Sequence, residues 1–153
     1  RYAAGQFLVE GVRLLRDAWQ SGVRPLTVFF AGELVAANPP ALALLDELQA
    51  AGVECLACTP PVFATLTDTV TPQGLAGVMP LLQRPVAEPL RFALVLDGVR
   101  DPGNAGTLLR SAAAAGVDLV SFGPGSVDPY NDKVVRAGMG AHFRVALRVC
   151  AVL

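Results

Sequence analysis

Short apolar runs alternate along this chain with helices whose starts are marked by proline, and this alternation restricts the fold most strongly. Two helix starts read Asn38-Pro39-Pro40 and Thr59-Pro60-Pro61, where a polar residue that can cap a helix precedes proline. The apolar runs around them are "LTVFF" at 26–30, "VECLAC" at 53–58 and "LAGVMPLL" at 75–82. Runs of this length between helices are typical of buried strands, so residues 1–82 are predicted to form a small α/β layer with mainly parallel strands.

A second strand–helix series follows a different kind of segment. Residues 83–91, "QRPVAEPLR", carry two prolines and mixed charge and are predicted to be a linker. Residues 92–153 then form a second α/β unit, again with mainly parallel strands. Its predicted order is strand "FALVLD", a helix ending near Ala115 with Gly116 as its cap, strand "VDLVSF", a short helix at 131–137 and strand "FRVALRV".

Composition describes a chain that forms a core. Apolar residues make up 53% of it and the net charge is −1, which excludes an intrinsically disordered protein. No apolar run reaches about 18 residues, so we expect a soluble cytoplasmic protein without a membrane segment. The first residue is Arg1 and the chain stops within a predicted strand, so we expect a fragment of a longer protein.

The cysteines do not indicate a metal site. Cys55 and Cys58 have the C-x-x-C spacing, but the only further Cys or His residues are His142 and Cys150, at no recognisable zinc spacing. Both members of the pair lie in a predicted strand, where residues three apart face opposite sides. We therefore predict structural cysteines and no bound metal.

The loop after strand "FALVLD" combines an unusual number of special residues. Ligands in open parallel sheets bind beyond the carboxyl ends of strands, and Asp97 lies at such an end. Asn104 is predicted to cap the following helix, and Gly106 allows another segment or a ligand to approach the backbone. The exposed amides of this helix start would form an anion site. The alternative is that Asn104 is only a cap and Asp97 only a brace for the loop.

Arg110 stands in a helix made almost wholly of small residues. A guanidinium binds phosphate or a developing oxyanion with forked geometry. We expect its side chain to reach the crevice beyond residue 97, beside Asn104; the alternative is an internal ion pair with Asp97 or Asp101. The stretch is neither a P-loop nor a dinucleotide fingerprint, because the Gly-Lys-Ser/Thr and G-x-G-x-x-G patterns are both missing.

The stretch "LVLDGVRDPGNAGTLLRSAAAAG" resembles the first signature motif of the SpoU (TrmH-type) RNA ribose 2'-O-methyltransferases of the SPOUT superfamily. "FGPGSVDPYNDKVVRAGMGAHFRVAL" is similar to the family's next segment, and "FLVEGVRLLRDA" and "TDTVTPQGLAGV" are similar to its N-terminal substrate-binding domain. The resemblance implies a small N-terminal α/β domain of RNA-binding type. It also implies the first part of a mostly parallel α/β SPOUT domain, a fold that contains a trefoil knot.

The same resemblance implies methyl transfer from S-adenosylmethionine to a ribose 2'-hydroxyl of rRNA or tRNA. Asn104 and Arg110 match the motif's catalytic pair. Because a free guanidinium gives up its proton only in strongly basic solution, we favour Arg110 as a group that positions the target and stabilises the forming alkoxide, with base catalysis left open. Lys133, Arg136 and Arg100 are expected to contact RNA; for Lys133 and Arg136 the alternative is a solvated basic helix face. A basic stretch without acids, 133–153, is compatible with both interpretations.

Two departures from the family pattern limit what this chain can do alone. The family's second and third motifs, which build the knot, the S-adenosylmethionine pocket and much of a homodimer interface, are expected beyond Leu153, so we expect the fragment alone to be inactive. Gly138 stands where relatives often carry serine. Two rival functions stay open. One is a non-catalytic RNA-binding module that keeps the fold. The other is an unrelated nucleotide-binding α/β domain, which the match to the whole first motif disfavours.

Overall fold

Two separate β-sheets organise the chain in the computed structural model, which describes residues 5–67 and 69–150. The chain divides into two compact units, and the boundary falls between Leu81 and Leu82. Each unit has its own sheet and its own buried apolar side chains. Each is therefore described by itself.

Within residues 5–67 and 69–81, the first unit contains four strands and four helices. Its elements are β1 (Gln6–Glu10), α1 (Val12–Gln20), β2 (Thr27–Ala31), α2 (Gly32–Ala36), α3 (Pro39–Ala50), β3 (Glu54–Cys58), α4 (Pro60–Leu66) and β4 (Leu75–Pro80). The two proline-marked helix starts are confirmed, and Asn38 caps α3 by accepting a hydrogen bond from the Ala41 backbone N–H. Strand β1 and helix α2 were not among the predicted elements.

The prediction of mainly parallel strands is wrong for this first sheet. Its order is β1-β4-β2-β3, and β4 runs antiparallel to both of its neighbours, so that only β2 and β3 are parallel. Helix α4 has seven residues, and after it the chain returns to the sheet at the end of β2 rather than at its start. Strand β4 therefore begins where β2 ends, and the Gly74 carbonyl accepts a hydrogen bond from the Ala31 N–H at 3.0 Å.

The second unit matches its predicted order. It contains β5 (Ala93–Leu96), α5 (Pro102–Ala114), β6 (Leu119–Phe122), α6 (Asp132–Gly138), a 3₁₀ turn (Ala141–Phe143) and β7 (Ala146–Val149). The sheet order is β5-β6-β7 and both pairs are parallel, as predicted. The last strand starts three residues later than the pattern "FRVALRV" suggested, because the 3₁₀ turn precedes it. Gly116 follows α5 with a φ of 70°, a conformation that glycine adopts without strain.

Residues before β5 are attached to this second unit by hydrogen bonds. The Arg91 and Phe92 N–H groups both donate to Asp118, at 3.0 and 2.9 Å, and these bonds lower the pKa of that carboxyl. Arg84 donates to the Phe143 carbonyl, and its own carbonyl accepts from Arg148 at 3.0 Å. The segment predicted as a linker thus makes ordered contacts with the unit that follows it.

The cysteines lie as the strand pattern predicts. Cys55 and Cys58 are both in β3 and both carry free thiols, whose pKa burial raises. The Cys58 thiol donates to the Phe30 carbonyl at 3.4 Å. Over residues 5–67 and 69–150, no cluster of three His, Cys, Asp or Glu side chains could hold a metal ion. Nor does that part of the chain contain a helix of the length and apolarity needed to cross a bilayer.

Candidate functional site

Two loops at the carboxyl end of the second sheet are joined by one serine. The Ser126 hydroxyl donates to the Leu96 carbonyl at 2.8 Å and accepts from the Val99 N–H at 3.1 Å. The Val127 N–H donates to the Val99 carbonyl at 2.8 Å. Residues 97–101, after β5, are therefore fixed against residues 123–128, after β6. Asp97, the first residue after β5, and Arg100 both lie on this loop, and the Asp97 side chain is exposed.

Helix α5 starts three residues earlier than the sequence suggested. Asp101 is the N-cap: its carboxylate accepts a 2.7 Å hydrogen bond from the Asn104 N–H, and Pro102 occupies the first helical position. The prediction that Asn104 caps the helix is therefore wrong. Proline is favoured at the first position of a helix, which makes the residue before it the cap. Asn104 lies within the first turn with its side chain exposed, so its amide group faces solvent.

Gly106 allows α5 and α6 to lie in close contact. A Cβ at this position would lie 2.4 Å from the Ala137 Cβ and 2.8 Å from the Val134 carbonyl oxygen. Of the two possibilities raised by the sequence, another segment or a ligand near the backbone, the structure shows another segment. The contact fixes α6, which carries Lys133 and Arg136, against α5.

Arg110 is exposed near the end of α5. Within the described residues it forms no ion pair with Asp97 or Asp101. Its side chain lines a surface depression of about 130 Å³ together with Ala113, Ala114, Met139, Ala141 and Arg144. Neither Asp97 nor Asn104 lines that depression, so the expected position beside Asn104 is not what the structure shows. Arg110 follows Asn104 by six helical residues, which places the two about 9 Å apart along the axis and on different faces.

The other predicted RNA contacts are spread over α6 and the loop after β5. Lys133 is exposed, and its N–H donates to the Asn131 side chain, which caps α6. Arg136 pairs with Asp132 one turn earlier, with 3.2 Å between nitrogen and oxygen, so part of its charge is neutralised within the helix. The structure thus brings Arg110 together with Arg144, which the sequence did not indicate, because the two are far apart along the chain.

A buried histidine supports the segment between α6 and β7. His142 is 1% exposed, and its Nε2 donates to the Pro129 carbonyl at 2.7 Å, because a carbonyl can only accept. Burial lowers the pKa of His142 to about 4, so the ring is neutral. Its Cε1 and Nδ1 atoms would lie 3.0 and 3.1 Å from a Cβ at Gly138. The imidazole therefore occupies the space into which a side chain at position 138 would extend.

The described residues do not form a pocket for S-adenosylmethionine around Arg110. A pocket for a ligand of that size needs about 300–1,000 Å³, and the depression that Arg110 lines has about 130 Å³. The residues that line the depression include two arginines, Arg110 and Arg144, beside a helix that close packing holds in place.

Comparisons with known proteins agree with this architecture. Residues 1–77 match the MRM3-like substrate binding domain, and residues 91–153 match the SpoU rRNA Methylase family. Among curated proteins, the chain is similar to "rRNA methyltransferase 3, mitochondrial" of Mus musculus, with 38% identity over 96% of this chain and 36% of that protein. It is 33% identical to the Bacillus subtilis 23S rRNA (guanosine(2553)-2'-O)-methyltransferase RlmP, over 95% of this chain and 54% of that protein.

Solved structures show the same fold. An AdoMet-bound rRNA methyltransferase from Sinorhizobium meliloti is 29% identical with a TM-score of 0.77, over 97% of this chain and 56% of that one. The SpoU methyltransferase AviRb from Streptomyces viridochromogenes, in complex with AdoMet, is 28% identical with a TM-score of 0.83, over 98% and 57%. The chain thus spans between about a third and three fifths of the relatives named here. It belongs to the SpoU rRNA methylase family, with an MRM3-like substrate binding domain ahead of its SpoU segment.

Proposed function

We propose that the protein is an S-adenosylmethionine-dependent RNA methyltransferase that methylates a ribose 2'-hydroxyl of rRNA or tRNA. The observation that carries this proposal is that the Arg110 side chain is available to a substrate. It is an exposed guanidinium, free of Asp97 and Asp101, on the helix of the family's first motif. The relatives named as rRNA methyltransferases, one of them a guanosine 2'-O-methyltransferase, support the same reaction and favour rRNA.

Arg110 acts on the ribose through its permanent charge. A 2'-hydroxyl becomes a better nucleophile as negative charge develops on its oxygen, and a fixed cation beside that oxygen stabilises this charge. A guanidinium has N–H donors and no acceptor, so Arg110 orients the hydroxyl and stabilises the developing alkoxide, and the hydroxyl proton passes to solvent water. Asn104, on a different face of the same helix and also exposed, supplies an amide that can hydrogen-bond to RNA.

The remaining roles are distributed over both units. Residues 1–82 form the RNA substrate-binding domain, 83–91 the linker and 92–153 the first part of the methyltransferase domain. Arg100, Lys133 and Arg136 contact the RNA backbone, and Arg136 does so at the cost of its contact with Asp132. The active protein is a homodimer, as the family resemblance implies, and it works in the cytoplasm, where rRNA is available.

The test is to map ribose 2'-O-methylation in the RNA of cells that lack the gene. We expect one or a few methylated nucleotides to disappear and to return when the full-length protein is supplied. The purified full-length protein should transfer a labelled methyl group from S-adenosylmethionine to that RNA. RNA binding without any transfer, and an unchanged methylation map, would refute the enzyme and favour the non-catalytic RNA-binding module instead.

A further inference from the structure

The depression beside Arg110 is lined by a second arginine, Arg144. Three alanines line it together with Met139, which follows α6, and its charged side chains are Arg110 and Arg144. Apart from the two arginines, the lining residues are apolar, so any charge at this surface is positive. Its volume of about 130 Å³ is roughly that of four water molecules. A phosphate group, with four oxygens around one atom, has a matching size.

The backbone of Arg144 is held in place by hydrogen bonds of the turn that precedes it. Ala141, His142 and Phe143 are all buried, and the Arg144 N–H donates to the Ala141 carbonyl at 3.0 Å. The Phe143 N–H donates to the Gly140 carbonyl at 3.1 Å, and Arg84 donates to the Phe143 carbonyl. This backbone is therefore ordered before any ligand arrives, which reduces the entropic cost of binding through Arg144.

The charge of the surroundings favours an anion. Among the described residues, none that lines the depression is acidic, and the sequence has no acidic residue from Lys133 to its end. Residues 83–153 contain eight of the twelve basic side chains of the chain, whereas residues 1–82 contain seven acidic and four basic ones. Phosphate recognition by charge is thus better supported in the second unit than in the first.

A larger depression in the first unit is a weaker candidate. It has about 390 Å³ and is lined by Trp19, Gly22, Arg24 and Ala51. The Arg24 guanidinium lies 5.6 Å from the centre of the Trp19 ring and donates to the Ala51 carbonyl. This depression lies in a unit with an excess of acidic residues, which disfavours an anion.

We propose that the depression between α5 and the 3₁₀ turn is a phosphate subsite, in which Arg144 and Arg110 together bind one backbone phosphate of the RNA. The proposal rests on the proposed function, because it takes the ligand to be the RNA substrate. Arg144 is then a substrate-binding residue that positions the nucleotide next to Arg110. Arginine suits this role because its planar fork donates two parallel hydrogen bonds to phosphate oxygens.

The experiment replaces Arg144 in the full-length protein and separates binding from chemistry. For Arg144→Gln, we expect the KM for RNA to rise about tenfold and kcat to stay within about twofold, because a charge-assisted contact to phosphate is lost. The slope of log affinity against log salt for single-stranded RNA should become shallower by about 0.7, the value for one phosphate contact. Arg144→Lys should keep most of the salt slope, since it keeps the charge.

The matched control is Arg91→Gln, which removes an exposed arginine of the same unit that does not line the depression. It should change neither KM nor the salt slope. Equal melting temperatures of the three variants and the parent show that the fold is kept. If Arg144→Gln melts early, Arg144→Lys decides through the KM for RNA, which should still rise several-fold because an ammonium cannot make the forked hydrogen bonds of a guanidinium, and an unchanged KM overturns the subsite. An Arg144→Gln variant with unchanged KM and slope overturns the subsite.

The two proposals fail in different ways. If the parent transfers no methyl group but Arg144→Gln still reduces the salt slope, the phosphate subsite stands and the proposed reaction falls. If the parent is active and Arg144→Gln behaves like Arg91→Gln, the reaction stands and the subsite falls. Inorganic phosphate as a competitor should weaken RNA binding to the parent more than binding to Arg144→Gln.

Discussion

Lowering the pH should destabilise the second unit through His142, the only histidine of the chain. The folded protein holds its ring neutral with a pKa of about 4, whereas an exposed histidine in the unfolded chain has a pKa of 6.5. Between these two values the unfolded chain binds a proton that the folded protein does not. The free energy of unfolding therefore falls as the pH drops from 6.5 towards 4, and no such loss occurs above pH 7.

The size of this effect follows from the shift. The full difference amounts to roughly 3 kcal/mol at pH 4, and about 2 kcal/mol is already lost at pH 5. Urea unfolding at pH 8 and pH 5 measures it, with His142→Gln as the matched control. Glutamine can still donate to the Pro129 carbonyl but does not titrate, so the variant should lose about 2 kcal/mol less than the parent over this interval. An imidazole resonance that titrates near pH 6.5 in the folded protein would refute the reasoning.

Two further changes test the start and the packing of the motif helix. Gly106→Ala should lower the free energy of unfolding by about 1–3 kcal/mol, because the added Cβ would lie 2.4 Å from the Ala137 Cβ. The control Gly32→Ala should not lower it, because a Cβ at that position has no atom within 4 Å. Equal melting temperatures for the two variants would contradict the close α5–α6 contact. Asp101→Ala should lower the free energy of unfolding in urea by about 1 kcal/mol, because the helix loses its N-cap, whereas Asn104→Ala should lower it by less. A larger loss for Asn104→Ala would show that Asn104 is the cap.

Local chemistry made several elements predictable. Helices α3 and α4 follow from a polar residue before proline, and the second sheet follows from apolar runs separated by helix-length segments. The same rule, applied at Pro102, identifies Asp101 as the cap of α5. Asparagine is also a common capping residue, so the sequence alone favours Asn104 as well, although no proline follows it.

Other features depend on contacts between distant residues. The antiparallel direction of β4 depends on the edge of the sheet at which the chain arrives after α4, and no short sequence pattern encodes this edge. The meeting of Arg110 and Arg144 depends on how α6 and the 3₁₀ turn pack against α5. A lone histidine between two apolar residues gave no sign that its ring would be buried against Gly138. Such features arise from the assembled fold rather than from the spacing of residues.

The most direct test is methyl transfer by the full-length protein with Arg110→Ala. Loss of a group that stabilises developing negative charge should reduce kcat by at least about a hundredfold. RNA affinity should fall by no more than about tenfold, since the other phosphate contacts remain. An Arg110→Ala variant that transfers methyl groups within a few-fold of the parent rate would contradict the role assigned to this arginine.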